Sequence, residues 1–453
     1  MTPRKILTTL LLLASLSAFA QEAYDTFAKA FAANYNQQNF DAVYDLTADN
    51  FKSQVPKDYF TKILKDGYTS GGNITEVKPM QGAGQGKVFH LICERATFAL
   101  SVALDDKGKA AGLMIQPVSA DTPSDSKGIL EKWKSNNLNA GLVVVHIRDG
   151  KPDIQYYGVS NKSTSAPIDA STIFEIGSIS KPFTGILLHE LIAEGKISLD
   201  DPVNKFLPKN AQLRKVKDKD ILIRNLVTHT SCLPRMPANF NPPAAEAKNP
   251  YNYYSEKELL EYLPTITSSD CELGATPTYS NLGAGLLGYI LTKISKKSYP
   301  ELIKERIAKP LKAENFGIVG PSPKWAQGYT AAGEAQPQWT FSDALVGAGG
   351  VDATTNDMLK VLNFLMSPDQ SPLGKAVVAS AAPQLSGEKG SFGTFWIRQP
   401  LGSKTVVWHN GMTGGFNAFI GWIEGTKTGV FILSNNGEDV ATGLGIALMS
   451  EEK

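Results

Sequence analysis

The sequence predicts an α+β fold: an antiparallel sheet flanked by helices, with an inserted helical lobe, preceded by a small α+β domain. Three observations carry this. Strand patterns bracket a long helical stretch in the later part of the chain. The earlier part runs from helical to strand periodicity, and a polar segment without periodicity separates the two. At 453 residues the chain exceeds one ordinary core, so more than one domain is expected.

In order, residues 1–20 have the features of a secretory signal peptide. Arg4 and Lys5 precede an apolar run from Ile6 to Leu16, and Ala18-Phe19-Ala20 forms the cleavage site, with Gln21 as the expected mature terminus. The run is shorter than a bilayer span, which disfavours a membrane anchor, and no cysteine follows the cleavage site as a lipoprotein would require. The expected location is therefore exported, periplasmic or secreted.

Residues 21–116 form the expected first domain. Tyr24, Phe27, Phe31 and Tyr35 recur at spacings of three and four, Phe40, Val43 and Leu46 make a second helix face, and Tyr59, Ile63 and Leu64 a third. Lys87 to Leu104 is strand-like, Asp105 to Gly108 turns, and Ala110 to Ile115 returns. This order resembles the cone-shaped α+β fold of ketosteroid isomerase-like domains. Residues 117–128 are Pro/Ser/Asp-rich and are expected to be a linker.

Residues 129–453 form the larger expected domain. Gly141 to Ile147 and Asp153 to Val159 flank Asp149-Gly150, a hairpin signal. From Ser178 to Leu365 the pattern is mostly helical. Strands are expected at Thr394–Gln399, Thr405–His409, Ala418–Ile423 and Val430–Ser434, with a last helix at Val440–Met449. Strands at both ends imply one sheet assembled from distant segments, and a cleft between sheet and lobe.

Composition excludes some functions. With 42% apolar and 20% charged residues and a formal net charge of +1, the chain is globular and lacks the basic footprint of nucleic-acid or anionic-lipid binding. The histidines scatter: His189-Glu190 starts an H-E-x-x-H pattern that Ala193 breaks. No metal site or cofactor is expected. No G-x-S-x-G is present.

The chemistry is expected from three short motifs. Ser178-Ile-Ser-Lys181 precedes Phe183, Ile186, Leu187, Leu191 and Ile192, which keep helical spacing until Gly195. Ser178 therefore stands at a helix N-terminus, where free N–H groups favour negative charge, with Lys181 one turn away on the same face. A serine hydroxyl needs a base. Lys181, with a reference pKa of about 10.4, must be desolvated or placed near cations to act as one. Alone, the pair could be an N-cap serine and a solvated lysine. Tyr279-Ser-Asn281 leads into a Gly-rich apolar helix. Tyr279 could carry phenolate character beside the lysine and shuttle a proton, while Asn281 offers an amide to a substrate carbonyl. Alone, these are a packed tyrosine and a cap. His409-Asn-Gly411 ends a strand, and glycine there lets a substrate lie along the edge. The N–H of Met412 could join that of Ser178 as an oxyanion hole.

Together these motifs resemble the class C β-lactamase superfamily, which includes D-Ala-D-Ala carboxypeptidases, D-amino-acid peptidases and amidases, and esterases. The β-lactamase/transpeptidase-like fold is implied for residues 129–453. Ile223 to Pro234 resembles the segment before the active-site rim and Gly347 to Thr354 a Gly-rich turn ahead of a helix. The resemblance implies Ser178 as nucleophile, Lys181 as its base, Tyr279 as second proton relay, and His409 as the residue that aligns substrate and hydrogen-bonds the relay. It also implies penicillin binding and a substrate that is a D-amino-acid peptide, a β-lactam or an ester. Two departures stand out. His-Asn-Gly replaces the usual Lys-Thr-Gly, and a largely neutral histidine grips a carboxylate less well than lysine. Cys232 stands where the family usually has glycine. Cys232 and Cys271 flank the rim and are candidates for a disulfide, while Cys93 is expected as a buried free thiol. The other readings are a carboxylesterase on the same fold and a non-catalytic penicillin-binding or sensor protein.

Overall fold

The computed structural model describes residues 22–52, 55, 57–80, 87–118, 125–136, 140–267, 271–387 and 390–452. The expected signal peptide and Gln21 lie outside the described residues, as does the middle of the expected linker. The chain divides into two compact units, Met1–Thr122 and Pro123–Lys453. Strand pairing reaches Val118 and a helix begins at Ser126, so the two ends of the 117–128 segment belong to regular structure. Among the described residues no helix is long and apolar enough to cross a membrane.

The first unit places helices α1 (22–36), α2 (Phe40–Asp45) and α3 (Lys57–Gly71) on an antiparallel sheet of four strands, β1 (Ile74–Met80), β2 (Lys87–Cys93), β3 (Thr97–Leu104) and β4 (Ala110–Val118), in that order. Alternation sets the buried face: Phe89, Leu91 and Cys93 on β2 and Phe98, Leu100 and Val102 on β3 join Phe27, Phe31 and Tyr35 of α1 in one core. Three expectations change. On α3 the core-facing pair is Phe60 and Leu64, 4% and 1% exposed, whereas Tyr59 and Ile63 are 62% and 39% exposed. Lys87 to Leu104 is two strands, because Glu94-Arg95 turns the chain and Cys93 N–H donates to Ala96 O at 2.8 Å. The edge strand β1 was not anticipated, since charged Glu76 and Lys78 interrupt its apolar pattern.

The second unit is built on an eight-stranded antiparallel sheet. After helix α4 (Ser126–Asn136), β5 (Leu142–Arg148) and β6 (Lys151–Tyr157) form the hairpin, with Asp149 and Gly150 at φ +49° and +77° as a type I′ turn requires. The helical lobe follows, including α5 (Ser180–Ala193), α6 (Asn281–Ser295), α7 (Thr355–Met366) and α8 (Pro372–Ala381). The chain then returns through β7 (Leu385–Gly387), β8 (Gly390–Phe392), β9 (Ile397–Leu401), β10 (Lys404–Met412), β11 (Asn417–Ile423) and β12 (Gly429–Ser434), ending in α9 (Val440–Ser450). The order is β7-β8-β9-β10-β11-β12-β5-β6, so β12 closes onto β5 in the register Gly429↔Ile147 to Ser434↔Leu142.

Both faces of the central strands are covered. Val143, Val145, Ile420 and Phe431 face the core shared with α5 and α6, while Leu142, Val144, Phe419 and Ile432 face a second core with Trp133 of α4 and Leu444 of α9. This explains why these strands read as continuous apolar runs rather than alternating ones. The lobe contains a disulfide, Cys232–Cys271, with Cα atoms 5.8 Å apart. Cys232 has φ +61°, a left-handed backbone that explains why glycine would otherwise suit this position. Cys93 is free and buried.

The disulfide closes a sequence separation of 39, for which chain entropy gives about 4 kcal/mol of stabilisation. Cys271→Ser is expected to lower the denaturation midpoint by an amount up to that size, and added reductant should shift the parent but not the variant. Equal midpoints with and without reductant in the parent would show that the link contributes nothing.

Candidate active site

Ser178 lies in a single 3-10 turn, Gly177–Ile179, that feeds directly into α5. Helix α5 is buried on every side from Ser180 to Leu191, its polar residues Ser180, Lys181, Thr184, His189 and Glu190 included. In the run from Thr172 to Leu191, Ser178 alone is partly exposed. Lys181, one turn on, is 0% exposed. Its Nζ lies 2.9 Å from Ser178 Oγ and donates to Ala348 O at 2.7 Å. Ala348 belongs to the Gly-rich turn 346–349, which two further bonds hold to α5: Thr184 Oγ1 to Gly347 O at 2.7 Å and Val351 N–H to Ser180 Oγ at 2.9 Å. The turn comes this close because two glycines meet. A Cβ at Gly347 would stand 3.0 Å from the Cα of Gly288 on α6.

Burial drives the Lys181 pKa well below its usual value, and the charge of Arg235 pushes it further the same way. No carboxylate pairs with Lys181 among the described residues. Burial and Arg235 thus favour the neutral amine, whose lone pair can accept a proton from Ser178.

Tyr279 precedes α6, and its loop is fastened from both sides. Ser280 caps α6 by accepting Gly283 N–H at 2.9 Å and donates to Pro234 O at 2.7 Å. Ser280 N–H donates to His229 Nδ1 at 3.2 Å, and Asn281 N–H to Arg235 O at 2.9 Å. The Tyr279 ring lies 4.6 Å from the His229 ring, with Lys181 Nζ 4.7 Å from its centroid. Burial raises the phenol to about 12, more than Ser178 and Arg235 lower it. This corrects the expected phenolate character: Tyr279 is a neutral phenol, able to donate a proton rather than take one first.

His409 differs most from expectation. The ring is 2% exposed. Its Nδ1–H donates to Asn410 O at 2.5 Å, since a carbonyl can only accept. Burial pushes its pKa down to about 3. A neutral, buried imidazole supplies no charge for a carboxylate. Its ring centre is 6.4 Å from that of Tyr279, with no hydrogen bond between them among the described residues, so it packs beside the relay. The strand also continues past His409 to Met412.

Gly411 and Met412 press against the Ser178 turn. A Cβ at Gly411 would stand 1.9 Å from Ile176 O and 3.1 Å from Ser178 N, and one at Gly177 (φ +51°) would stand 2.8 Å from Met412 N. The N–H groups of Ser178 and Met412 therefore lie on two facing backbones that only glycine allows to meet. The Asn281 amide approaches Met236 Sδ and Tyr251 Oη, each at 3.4 Å. Tyr251 in turn packs on Trp339 and Phe341 at 5.0 and 4.6 Å.

Sequence reasoning did not single out His229, Arg235 or this aromatic wall. Arg235 adjoins the rim motif that ends at Pro234, and its Cζ lies 5.0 Å from the Tyr279 centroid. Behind the serine, Glu175 and Asp352 sit opposite one another across a strand pair. Burial raises Glu175 to about 7 and Asp352 well above its usual range, with Glu175 adding to the latter.

A family model described as Beta-lactamase matches residues 134–446. A Beta-lactamase of Pseudomonas fluorescens is 28% identical over 333 residues, covering 65% of this chain and 88% of its own. The D-alanyl-D-alanine-carboxypeptidase/endopeptidase AmpH of Escherichia coli (strain K12) is 25% identical over 309 residues, covering 65% and 78%. Among solved structures, a class C beta lactamase from Rhodobacter sphaeroides superposes with TM-score 0.62 at 21% identity, covering 72% of this chain and 99% of that one. A Beta-Lactamase/D-Alanine Carboxypeptidase from Pseudomonas syringae gives 0.61 at 22%, covering 72% and 98%. At these identities the structural likeness shows the fold, which is that of the β-lactamases.

Two outcomes are expected from this geometry. Gly411→Ala should keep the secondary structure and lose about 100-fold or more in kcat, the cost of misplacing one oxyanion donor; activity within threefold of the parent would separate Gly411 from the site. The Glu175 carboxyl keeps its proton to a higher pH in the folded than in the unfolded chain. Stability therefore falls as pH rises from about 4.5 to about 7. Chemical denaturation across that window should show a shallower fall in Glu175→Gln, with Asp352 supplying what remains; identical slopes would contradict the assignment.

Proposed function

We propose that this chain, which belongs to the Beta-lactamase family and is a serine hydrolase, works through an acyl-enzyme at Ser178 on D-amino-acid peptides or β-lactams. The observation that carries the reading is the fully buried Lys181 with Nζ 2.9 Å from Ser178 Oγ, a burial that favours the neutral amine. As Oγ attacks the carbonyl, Lys181 takes its proton. The N–H groups of Ser178 and Met412 receive the developing oxyanion. Tyr279, a neutral phenol, gives its proton to the leaving nitrogen or oxygen and regains one from the Lys181 ammonium. Both groups return to their starting states as the acyl-enzyme forms. Water then attacks the ester, its proton passing back along the same pair while Ser178 recovers its hydroxyl.

Export to the periplasm or medium belongs to this proposal. It is supported by the signal-peptide pattern of residues 1–20 and by the Cys232–Cys271 link, since disulfides persist in oxidising compartments. The aromatic side chains by Asn281 suit an apolar acyl group. A carboxylesterase is the second reading, favoured by the neutral, buried His409 where a fixed cation would hold a substrate carboxylate.

Intact-mass spectrometry with a fluorophosphonate or a penicillin is expected to show one addition, absent in Ser178→Ala and slowed by about 100-fold or more in Lys181→Ala. Turnover of a chromogenic β-lactam, a D-Ala-D-Ala peptide and a short-chain nitrophenyl ester ranks the two readings. Equal labelling of Ser178→Ala would overturn the assignment.

A further inference from the structure

We infer that Arg235 is the residue that selects the substrate, by pairing with a carboxylate that the substrate carries into the site. The inference rests on the acyl-enzyme reading above and adds the charge of the substrate to it.

The main chain of Arg235 is fixed, while its side chain is left open. Asn281 N–H binds its carbonyl at 2.9 Å, Ser280 holds the preceding Pro234 carbonyl at 2.7 Å, and the Cys232–Cys271 link lies three residues before it. The side chain is exposed, with Cζ 5.0 Å from the centroid of Tyr279, the ring that Lys181 Nζ approaches to 4.7 Å. Its charge is felt throughout the site, lowering Lys181, His229 and Tyr251 alike.

Among the described residues the guanidinium lies over the Tyr279 ring and has no anionic partner. Other arginines of this unit are spoken for: Arg398 by Glu424 at 2.7 Å, Arg306 by Glu194 at 2.6 Å and Arg224 by Asp200 at 2.6 Å. Among the described residues no carboxylate or carbonyl engages the Arg235 side chain, so its fork of five N–H donors is available. The other basic groups at the site cannot take this role. Lys181 is sealed and unprotonated, and His409 and His229 are buried and neutral. A guanidinium keeps its charge at every working pH and matches a carboxylate with two parallel hydrogen bonds. It stands over Tyr279, the residue that would protonate the leaving group. The substrate class is therefore an acyl donor bearing a carboxylate within reach of that position, with neutral esters as poor alternatives.

The test compares two nitrophenyl esters with the same leaving group, nitrophenyl butyrate and nitrophenyl hydrogen glutarate, on the parent, Arg235→Gln and Arg235→Lys. Arg235→Gln is expected to lower the ratio of kcat/KM for the carboxylated over the neutral ester by about 10- to 100-fold, mostly through KM, while any loss shared by both esters reports the charge that Arg235 sets against the Lys181 proton. Arg235→Lys should fall between, keeping the charge without the fork. Equal losses on both esters, or no loss on either, would overturn the inference. Labelling by an uncharged fluorophosphonate reports separately on folding and on the acyl-enzyme reading. Unlabelled parent protein would refute that reading, whereas normal labelling of Arg235→Gln with an unchanged ester ratio would refute the selection role alone.

Discussion

A lysine amine closed off from water with no anion beside it is the constraint on which this structure turns. An isolated ammonium in such a place would cost several kcal/mol, so the group sheds its proton instead. Burial and the charge of Arg235 serve that end. Helix α5 is buried on all sides, which leaves the amine out of water, and Arg235 opposes a second positive charge; the Ala348 carbonyl fixes where the amine sits by taking one N–H. The same packing that stabilises the lobe sets the amine's chemistry. A void beside α5 that admitted water would return the charge and remove the base.

The second requirement is that two backbones touch. Gly177 and Gly411 allow the Ser178 turn to lie against β10, and the eight-stranded sheet holds β10 in place through β11, β12 and β5. The sheet is rigid because both faces are covered, one by the lobe and one by α4 and α9. On the other wall, Ser280, Asn281 and the Cys232–Cys271 link bind the 229–235 segment to the start of α6. One wall is positioned by strand pairing and the other by capping bonds and a covalent staple. They meet beside the serine, where the Tyr279 ring lies 6.4 Å from that of His409.

Local patterns were readable where the chemistry is local. The Phe27, Phe31, Tyr35 stripe, the Asp149-Gly150 turn and the strands from β10 to β12 follow from periods of 3.6 and 2 and from turn residues. The failures share a cause as well. On α3 the apolar residues Tyr59, Phe60, Ile63 and Leu64 outnumber the buried positions, and only packing against β2 and β3 picks Phe60 and Leu64. Strand β1 carries charges because it is an edge, and an edge is defined by what does not pair with it.

The order and spacing of Ser178, Lys181, Tyr279 and His409 were enough to name a family and a reaction type, because motif residues keep their types wherever the chain folds. Their charge states were not accessible in that way. Lys181 loses its proton because segments distant in the chain, such as Ala348 167 positions away, close it off from water, and Arg235 reaches Tyr279 only once the rim is stitched to α6. His409 lies on a strand whose sequence says nothing of how deeply it is covered. Residue identity is a local property of the chain. Solvation and Coulomb energy are sums over everything brought near in space, so protonation and charge at this site exist only in the folded molecule.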